Sequence, residues 1–333
     1  MGTTGHRGYR SLFWPLILIG VGVVWLLGNI GVITGANLVV LLRLWPLLLI
    51  AIGLDLLFGR RSPALGAAIG LGAVALIIVL MLVGPGLGWA GDYEVKTASF
   101  SEPVGDARSA EVLLNLSVGR TTISPLRDSS NLIEADLTYV GEVEFRTEGE
   151  SHKVVELHHV RGVQAQFPLD FLGWAAPGGE LTWDIGLSPN VDLNLTIGGG
   201  VGDARIDLSG LQLTDLTVNS GVGTIALTIP ATGERYAATI NSGVGDFTLT
   251  VAEGAAVELD ITGGVGGFTI DVPDEAAIRL EADTGLGDVS VPGWLAQVSG
   301  DDDNGVWETE NFSSAETPIR IQFDGGIGGL TIR

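Results

Sequence analysis

The feature that most constrains the fold is a Gly-x-Gly triplet that recurs through the C-terminal part of the chain. Successive triplets are separated by 21, 22, 21, 21 and 41 residues. The copies are Gly200-Val201-Gly202, Gly221-Val222-Gly223, Gly243-Val244-Gly245, Gly264-Val265-Gly266, Gly285-Leu286-Gly287 and Gly326-Ile327-Gly328. A fixed period of about 20 to 50 residues is typical of solenoids, propellers and other repeat arrays. Each repeat is therefore one small unit that stacks on its neighbours.

Each unit contains two short segments with the alternating pattern of a β-strand. After the third triplet, Phe247, Leu249 and Val251 alternate with threonines, which is the period of a strand. Comparable segments precede the triplets at residues 213–220, 236–242 and 257–263. Glycine at the corner tolerates positive φ, so the chain can turn there into the next strand. The pattern favours a β-solenoid of parallel rungs over an antiparallel sandwich, which also repeats its strands every 8–12 residues.

The repeats, with a period of about 21 residues, are predicted over residues 191–333. We interpret Gly305-Val306-Trp307 as a degenerate copy inside the 41-residue interval. Residues 109–190 are less regular and are predicted to form an N-terminal β region, either a cap or a sandwich-like first layer. Weaker copies of the triplet there are Val118-Gly119, Val140-Gly141 and Arg161-Gly162.

The residue after each triplet alternates between aspartate and an uncharged residue. In chain order these residues are Asp203, Thr224, Asp246, Gly267 and Asp288. In rungs about 4.8 Å apart, a continuous aspartate row would cost about 3.5 kcal/mol per neighbouring pair at an effective dielectric constant of about 20. Alternation doubles the separation to about 9.6 Å, which exceeds the Debye length of about 8 Å. The alternation is therefore consistent with stacked rungs.

Residues 1–83 are predicted to form a membrane domain of three helices. Apolar segments of about 20 residues, the length of a membrane span, lie at about 12–32, 38–58 and 65–83. Three in succession favour spans over buried core helices, and the first is longer than the apolar region of a signal peptide. Arg43 and Asp55 lie near the ends of the second segment, where we interpret them as interfacial anchors. Residues 84–108, with several glycines and two prolines, are predicted to be a linker.

The charge distribution predicts the orientation of these spans. Residues 1–91 contain five basic residues and one acidic residue, whereas residues 92–333 contain 12 basic and 38 acidic residues, a net charge of −26. The basic residues outside the spans are Arg7, Arg10, Arg60 and Arg61. The positive-inside rule then places the N-terminus in the cytoplasm and the acidic β region outside the cytoplasmic membrane, in a multi-pass protein. The acidity also argues against a nucleic-acid partner, and the absence of cysteine excludes disulfides and thiol chemistry.

Two groups of side chains resemble metal ligands, and each has a simpler explanation. Asp301-Asp302-Asp303-Asn304-Gly305 is acidic enough for a hard cation, but its glycine lies one position early for an EF-hand loop, and a solvated turn explains it. His152, Glu156 and His158 would share one face of a strand, with Glu150 and His159 nearby, as on an exposed polar face.

Known catalytic and ligand-binding motifs are missing from the sequence. The triplets lack the spacing of nonapeptide calcium repeats, and each is followed by a strand, unlike a nucleotide-binding loop. The sequence also contains no Gly-x-Ser-x-Gly, Walker or His-Glu-x-x-His motif. We therefore assign no catalytic, cofactor-binding or metal-binding residue, and we predict that the protein is not an enzyme.

Two stretches of the sequence resemble known bacterial families. The pattern Trp-Pro-Leu-x-Leu-Ile-x-x-Gly at 14–22 and 45–53 resembles the membrane region shared by the LiaI and LiaF envelope-stress proteins. Residues 180–230 resemble the toast-rack domain, which is found with LiaF-like C-terminal domains. The matching residues are Trp183-Asp184, Leu187-Ser188-Pro189 and Leu208-Ser209-Gly210-Leu211. The resemblance implies a membrane-anchored envelope protein that inhibits or senses for a histidine kinase, although the repeat array is longer than that of LiaF.

The leading hypothesis is a non-catalytic, LiaF-like regulator or sensor of cell-envelope stress. Its helices would contact the lipid bilayer and a partner such as a membrane sensor kinase, while the solenoid binds an envelope protein or ligand. The alternative is a membrane-anchored adhesin-like or structural β-solenoid, for which the helices are only an anchor. The last triplet has no obvious cap after it, so we also expect self-association through the solenoid ends.

Overall fold

The computed structural model describes residues 13–30, 32–33, 37, 40–41, 44–54, 63–87, 95–161, 181–301 and 304–333. The chain divides into a helical unit within residues 1–95 and a β unit within residues 96–333.

The helical unit contains α1 (Phe13–Asn29), α2 (Trp45–Leu54) and α3 (Pro63–Val83), and a 3-10 turn (Gly84–Leu87) follows α3. Helices α1 and α3 pack closely, because a Cβ atom at Gly20 would lie 3.0 Å from both methyl carbons of Val74. The predicted spans overlap these three helices. Over the described part of the chain, no helix combines the length and apolar character needed to cross a membrane. The three-span arrangement stays a prediction, and Arg43 and Asp55 lie outside the described residues.

The β unit consists of two sheets, whose strands we number in chain order. Sheet A contains, in spatial order, β1 (Val95–Pro103), β4 (Asn131–Val140), β7 (Thr182–Leu187), β3 (Arg120–Pro125), β9 (Ala204–Asp207), β11 (Ile225–Ile229), β13 (Phe247–Val251), β15 (Phe268–Asp271), β21 (Leu330–Ile332) and β17 (Val289–Ser290). Sheet B contains β18 (Ala296–Gly300), β19 (Asn304–Glu308), β16 (Ile278–Asp283), β20 (Ile319–Asp324), β14 (Val257–Thr262), β12 (Tyr236–Asn241), β10 (Gln212–Asn219), β8 (Asp192–Gly198), β2 (Ser109–Asn115), β6 (His152–Arg161) and β5 (Glu142–Glu148). A 3-10 turn (Phe312–Ser314) lies between β19 and β20.

From β8 to β17 successive strands lie in opposite sheets, so that each of these rungs contributes one strand to each sheet. Strands β8, β10, β12 and β14 pair in parallel in sheet B, and β9, β11, β13 and β15 pair in parallel in sheet A. This arrangement is a two-sided β-solenoid, which confirms the parallel stacking predicted from the Gly-x-Gly period.

The rungs stack in an order that differs from the chain order at both ends. The last rung, β20–β21, lies between β14–β15 and β16–β17. The first rung, β2–β3, lies between β6–β7 and β8–β9. The last triplet therefore does not lie at an end of the stack, because its rung has a neighbour on each side. The period sets the length of a rung but not its place in the stack, since every rung offers its neighbours the same backbone hydrogen bonds.

Two of the weaker triplet copies do not form corners between rungs. Gly305-Val306-Trp307 lies in β19, which pairs antiparallel with β16 and with β18. Val140-Gly141 joins β4 to β5, which pair antiparallel with β7 and β6. Val118-Gly119 does form a corner, where the Gly119 N–H donates to the Val201 carbonyl oxygen at 2.9 Å. Alternating apolar residues occur in parallel and antiparallel strands alike, so the pattern alone could not distinguish them.

The interior between the sheets is filled by the inward-facing side chains of the rungs. Phe247 stacks on Phe268 with ring centroids 4.7 Å apart, and Phe323 of the inserted last rung meets Phe268 edge-on at 5.5 Å. The one charged residue within the described part of this interior is Lys153, which pairs with Glu102 and donates to the Pro103 carbonyl oxygen at 2.7 Å. Apolar burial of this kind contributes about 1.5–3 kcal/mol per large side chain.

The four edge strands carry features that discourage pairing with another sheet. Strand β5 (EVEFRTE) contains three glutamates and an arginine, and β1 ends in Glu102 and Pro103. Strand β17 has only two residues, and β18 has a register shift between Gln297 and Ser299. Self-association through the solenoid ends stays a prediction.

Candidate functional site

The middle residues of the Gly-x-Gly corners form a continuous line on the surface, which we call the aliphatic ridge. In spatial order the ridge consists of Val201, Val222, Val244, Val265, Ile327 and Leu286, joined by parallel bridges. At a rung spacing of about 4.8 Å, six residues extend over about 24 Å. Val201 is half-buried, and the other five expose between 47% and 69% of their surface.

The geometry of the corner leaves room for only one side chain. A Cβ atom at Gly221 would lie 1.9 Å from the Gly200 carbonyl oxygen, and one at Gly223 would lie 2.1 Å from the Gly202 carbonyl oxygen. The φ of Gly223 is +146°, in a region that favours glycine. Rungs can therefore approach to hydrogen-bonding distance only if both flanking residues are glycine. The middle residue then points into solvent.

Nothing in the corner requires that this middle residue be aliphatic. The Val222 N–H donates to the Gly200 carbonyl oxygen at 3.0 Å, and the Val222 carbonyl oxygen accepts from the Gly202 N–H at 2.8 Å, whatever the side chain is. Threonine would satisfy the same strand preference and would suit an exposed position better. Single exposed apolar residues are ordinary, whereas a contiguous line is typical of an interaction surface. The ridge is therefore the candidate functional site.

One flank of the ridge, on the side of sheet A, is a row that contains aspartates. In spatial order this flank consists of Asp203, Thr224, Asp246, Gly267, Gly329 and Asp288. Asp203 Oδ1 accepts a hydrogen bond from the Thr224 N–H at 3.1 Å, and Asp246 Oδ1 accepts one from the Gly267 N–H at 3.0 Å. The alternation thus has a structural cause besides repulsion, because an aspartate in one rung caps a backbone N–H of the next. The inserted rung also places Gly329 between Gly267 and Asp288, which the chain order did not predict.

The other flank, on the side of sheet B, is a polar row that becomes acidic near its end. In spatial order it consists of Gly198, Asn219, Asn241, Thr262, Asp324 and Asp283. The Asn241 side-chain amide donates to Asn219 Oδ1 at 2.7 Å. Asp324 and Asp283 are direct neighbours in register. In these described rungs neither flank contains a lysine or arginine, so the ridge is an apolar line between two rows that carry only negative charge.

The histidines singled out in the sequence lie at the other end of sheet B. His152, Glu156 and His158 share the outer face of β6, as the strand alternation predicted. His152 Nδ1 is 2.8 Å from Ser109 Oγ, and His158 Nδ1 is 2.7 Å from the Asn115 side-chain amide. His158 Nε2 lies 3.5 Å from Glu156 Oε2. Each ring thus contacts a neighbouring strand or its own strand.

The remaining candidate ligands do not join this group. His159 Nε2 lies 2.7 Å from the Val140 carbonyl oxygen, and its ring meets Trp183 edge-on at 6.0 Å. Glu150 is exposed in the turn before β6. Among the residues that the structure describes, no three His, Asp or Glu side chains converge in a way that could hold a metal ion.

Of the acidic stretch at 301–305, Asp301 follows β18, and Asn304 and Gly305 begin β19. Asp301 Oδ1 accepts a hydrogen bond from the Asn304 N–H at 2.8 Å, and the Asp301 carbonyl oxygen accepts one from the Gln297 side-chain amide at 2.7 Å. Asp302 and Asp303 lie outside the described residues.

A shallow trough of about 400 Å³ on the outer face of sheet B was not predicted. Charged side chains from three neighbouring strands, β14, β20 and β16, line it. Arg279 Nη1 lies 2.7 Å from Glu308 Oε2, and Arg320 Nε lies 3.9 Å from Glu258 Oε1. Arg279 and Arg320 are adjacent only because the last rung is inserted beside β16, so sequence order gave no signal of this pairing. Exposed ion pairs of this kind contribute about 0–1 kcal/mol each.

The solved structures that are similar to this chain include two adhesin-type proteins. One is a candidate cell adhesion protein from Clostridium sporogenes, 19% identical, with a TM-score of 0.46, over 72% of this chain and 99% of that chain. The other is a candidate adhesin from Bacteroides fragilis, 12% identical, with a TM-score of 0.34, over 72% of this chain and 97% of that chain. Among curated proteins no match was found.

Comparison with protein families gives two matches, one over the first two helices and one over much of the β unit. Residues 12–57 match the LiaI-LiaF-like transmembrane region. Residues 90–250 match the N-terminal domain of toast_rack, DUF2154. These two matches confirm the resemblance that the sequence predicted, in which a stretch similar to the LiaI-LiaF-like transmembrane region precedes one similar to the toast-rack N-terminal domain.

Proposed function

We propose that this protein is a non-catalytic regulator or sensor of cell-envelope stress that acts through protein–protein contacts at two places. The transmembrane region would bind the membrane helices of a partner such as a sensor kinase. The β unit, outside the cytoplasmic membrane, would present the aliphatic ridge to a second protein. The observation that carries the proposal is the ridge, because six stacked corners carry an aliphatic side chain where the fold does not require one, and five of the six are exposed.

Support for a binding role of the helices comes from their sequence and packing. An anchor needs only apolar length, whereas the Trp-Pro-Leu pattern occurs twice inside the matched residues 12–57. The close approach of Gly20 to Val74 is the small-residue contact by which membrane helices pack against each other. These features give a partner's helix a specific surface to recognise.

An anchor exchange separates this proposal from an adhesin-like module. Residues 1–91 are replaced by an unrelated three-span anchor of the same orientation, and envelope-stress signalling and partner crosslinking are measured in cells. We expect both to be lost while the β unit resists proteolysis as in the parent protein. Full function with the foreign anchor would overturn the proposal and would support the adhesin-like alternative.

The proposed orientation has a direct test, because the chain contains no cysteine. Single cysteines are placed at Ser62, between the second and third helices, and at the exposed Ser209 and Ser299 of the β unit. A membrane-impermeant maleimide applied to whole cells should label positions 209 and 299 but not position 62. Labelling at position 62 alone would indicate the opposite orientation and would contradict a partner outside the cytoplasmic membrane.

A further inference from the structure

We infer that the aliphatic ridge binds an amphipathic α-helix whose apolar stripe is bordered on both sides by lysine or arginine. The inference rests on the proposed function in taking the ridge as a docking surface, and it adds the chemistry of the partner. It follows from the backbone of the corners, the charge of the two flanks and the dimensions of the ridge.

The backbone of the ridge favours a helical partner over an added strand. Each corner already exchanges its N–H and C=O groups with the rungs on either side, as the Val244 N–H does with Gly221 at 2.9 Å. An extended segment lying on the ridge would therefore find no free backbone groups to pair with. A helix satisfies its own backbone hydrogen bonds and can bind through side chains alone.

The charge of the flanks favours a basic partner. Carboxylates of Asp203, Asp246 and Asp288 border the ridge on one side, and those of Asp324 and Asp283 border its far end on the other. A second copy of this chain would bring like charges together, since residues 92–333 have a net charge of −26. Lysine or arginine on both borders of the partner's stripe would instead face these carboxylates.

The dimensions of the ridge set the size of the partner. A helix that covers about 24 Å needs about 16 residues at 1.5 Å per residue. The aspartates lie two or three residues along the chain from the ridge, at most about 10 Å away. A helix with its side chains is about 10–12 Å across, so long basic side chains on its two borders reach both flanks.

The probe for the test is an 18-residue synthetic helix with a leucine stripe bordered by lysines. Two matched peptides serve as controls, one with glutamate in place of lysine and one with serine in place of leucine. Val244→Cys in the full chain, held in zwitterionic nanodiscs, reports on the ridge through its rate of maleimide labelling. Val298→Cys, at an exposed valine away from the ridge, corrects for binding of the peptide to the lipid.

We expect the Leu/Lys peptide to slow labelling at position 244 and not at position 298, and both control peptides to have no effect. Adding Asp203→Asn and Asp246→Asn should raise the half-protecting peptide concentration by about 10-fold, because two charge pairs are lost. Asparagine keeps the oxygen that caps the next rung, so the corner stays intact.

Three results would overturn the inference. One is unchanged labelling with the Leu/Lys peptide, another is equal protection by the Leu/Glu peptide, and a third is protection of position 244 at high protein concentration without peptide, which would indicate a second copy. Each of these results would contradict the helix-binding inference but not the proposed function. The proposed function is tested separately by the anchor exchange, which is measured in cells without the peptide.

Discussion

The position of the last rung can be tested by the energetic coupling between two phenylalanines. Phe323 in β20 and Phe268 in β15 meet edge-on at 5.5 Å because β20–β21 lies next to β14–β15. In a stack that followed chain order, the rung of β16 would separate them and their rings would be about 9.6 Å or more apart. The two arrangements therefore predict different coupling energies.

The expected magnitudes follow from burial and ring contact. Phe323 is 4% exposed and Phe268 is 3% exposed, so each alanine substitution should lower the free energy of unfolding by about 3–5 kcal/mol. The edge-to-face contact should appear as a coupling energy of about 0.5–1.5 kcal/mol between the two substitutions. Phe247, two rungs from Phe323, should show no coupling to it.

The assay is urea unfolding of the full chain and its variants, followed by near-ultraviolet circular dichroism. Phe268→Ala, Phe323→Ala and the double variant complete one cycle, and Phe247→Ala with Phe323→Ala completes the control cycle. A third cycle combines Phe247→Ala with Phe268→Ala, whose rings stack at 4.7 Å. Coupling within experimental error of zero for the 268/323 pair, together with clear coupling for the 247/268 pair, would refute the inserted position of the last rung.

Other perturbations test the interior, the corners and one surface carboxylate. Glu102→Ala should lower the free energy of unfolding by about 3–5 kcal/mol in urea titrations, because it leaves the buried Lys153 ammonium without its carboxylate, and adding Lys153→Met should recover most of that loss. Gly223→Ala should lower the free energy of unfolding by about 2 kcal/mol or more beyond the effect of Gly210→Ala. Both glycines have positive φ, but only alanine at position 223 would place its methyl group against a backbone oxygen. Equal urea midpoints for the two variants would contradict the corner geometry. Hydrogen bonds from the side chains of Ser129 and Asn131 lower the pKa of Glu134, so the stabilising contribution of its carboxylate is present above pH 4.5 and is lost as the pH falls through the lowered pKa. Glu134→Gln should therefore flatten the dependence of the free energy of unfolding on pH in that window. An unchanged slope would argue against a lowered pKa for Glu134.

Sequence periodicity was sufficient for the rung and its corner but not for the order of the stack. The triplets around Val222 and Val244 predicted strand, turn and strand, and the structure places them in parallel neighbours. Every rung carries the same information, so the place of β20–β21 depends on side-chain fit, such as that of Phe323 against Phe268. Side-chain fit of this kind depends on three-dimensional packing, which cannot be read from the spacing of residues in the sequence.

The sequence alone did not predict the aliphatic ridge, which could be recognised only from the geometry of the corners. Val201 and its equivalents appeared there as the variable residue of a turn, and nothing in their spacing indicated which way they point. The clash that a Cβ atom would make at Gly221 or Gly223 is what forces the middle side chain outward. The family resemblance, by contrast, depended on local motifs such as Trp183-Asp184 and was confirmed by the family comparison.

The inserted last rung also makes the synthesis of β20 a condition for completing the stack, because β20 pairs with both β14 and β16. Strand β16 begins at Ile278 and its neighbour β20 begins at Ile319, so at 5–20 residues per second about 2–8 seconds of synthesis separate them. During that time the edges of β14 and β16 that face each other lack the strand that belongs between them. Until β20 is available both edges stay unpaired, and unpaired strand edges are prone to aggregation. Strands β20 and β21 are thus synthesised after both of the rungs between which they lie.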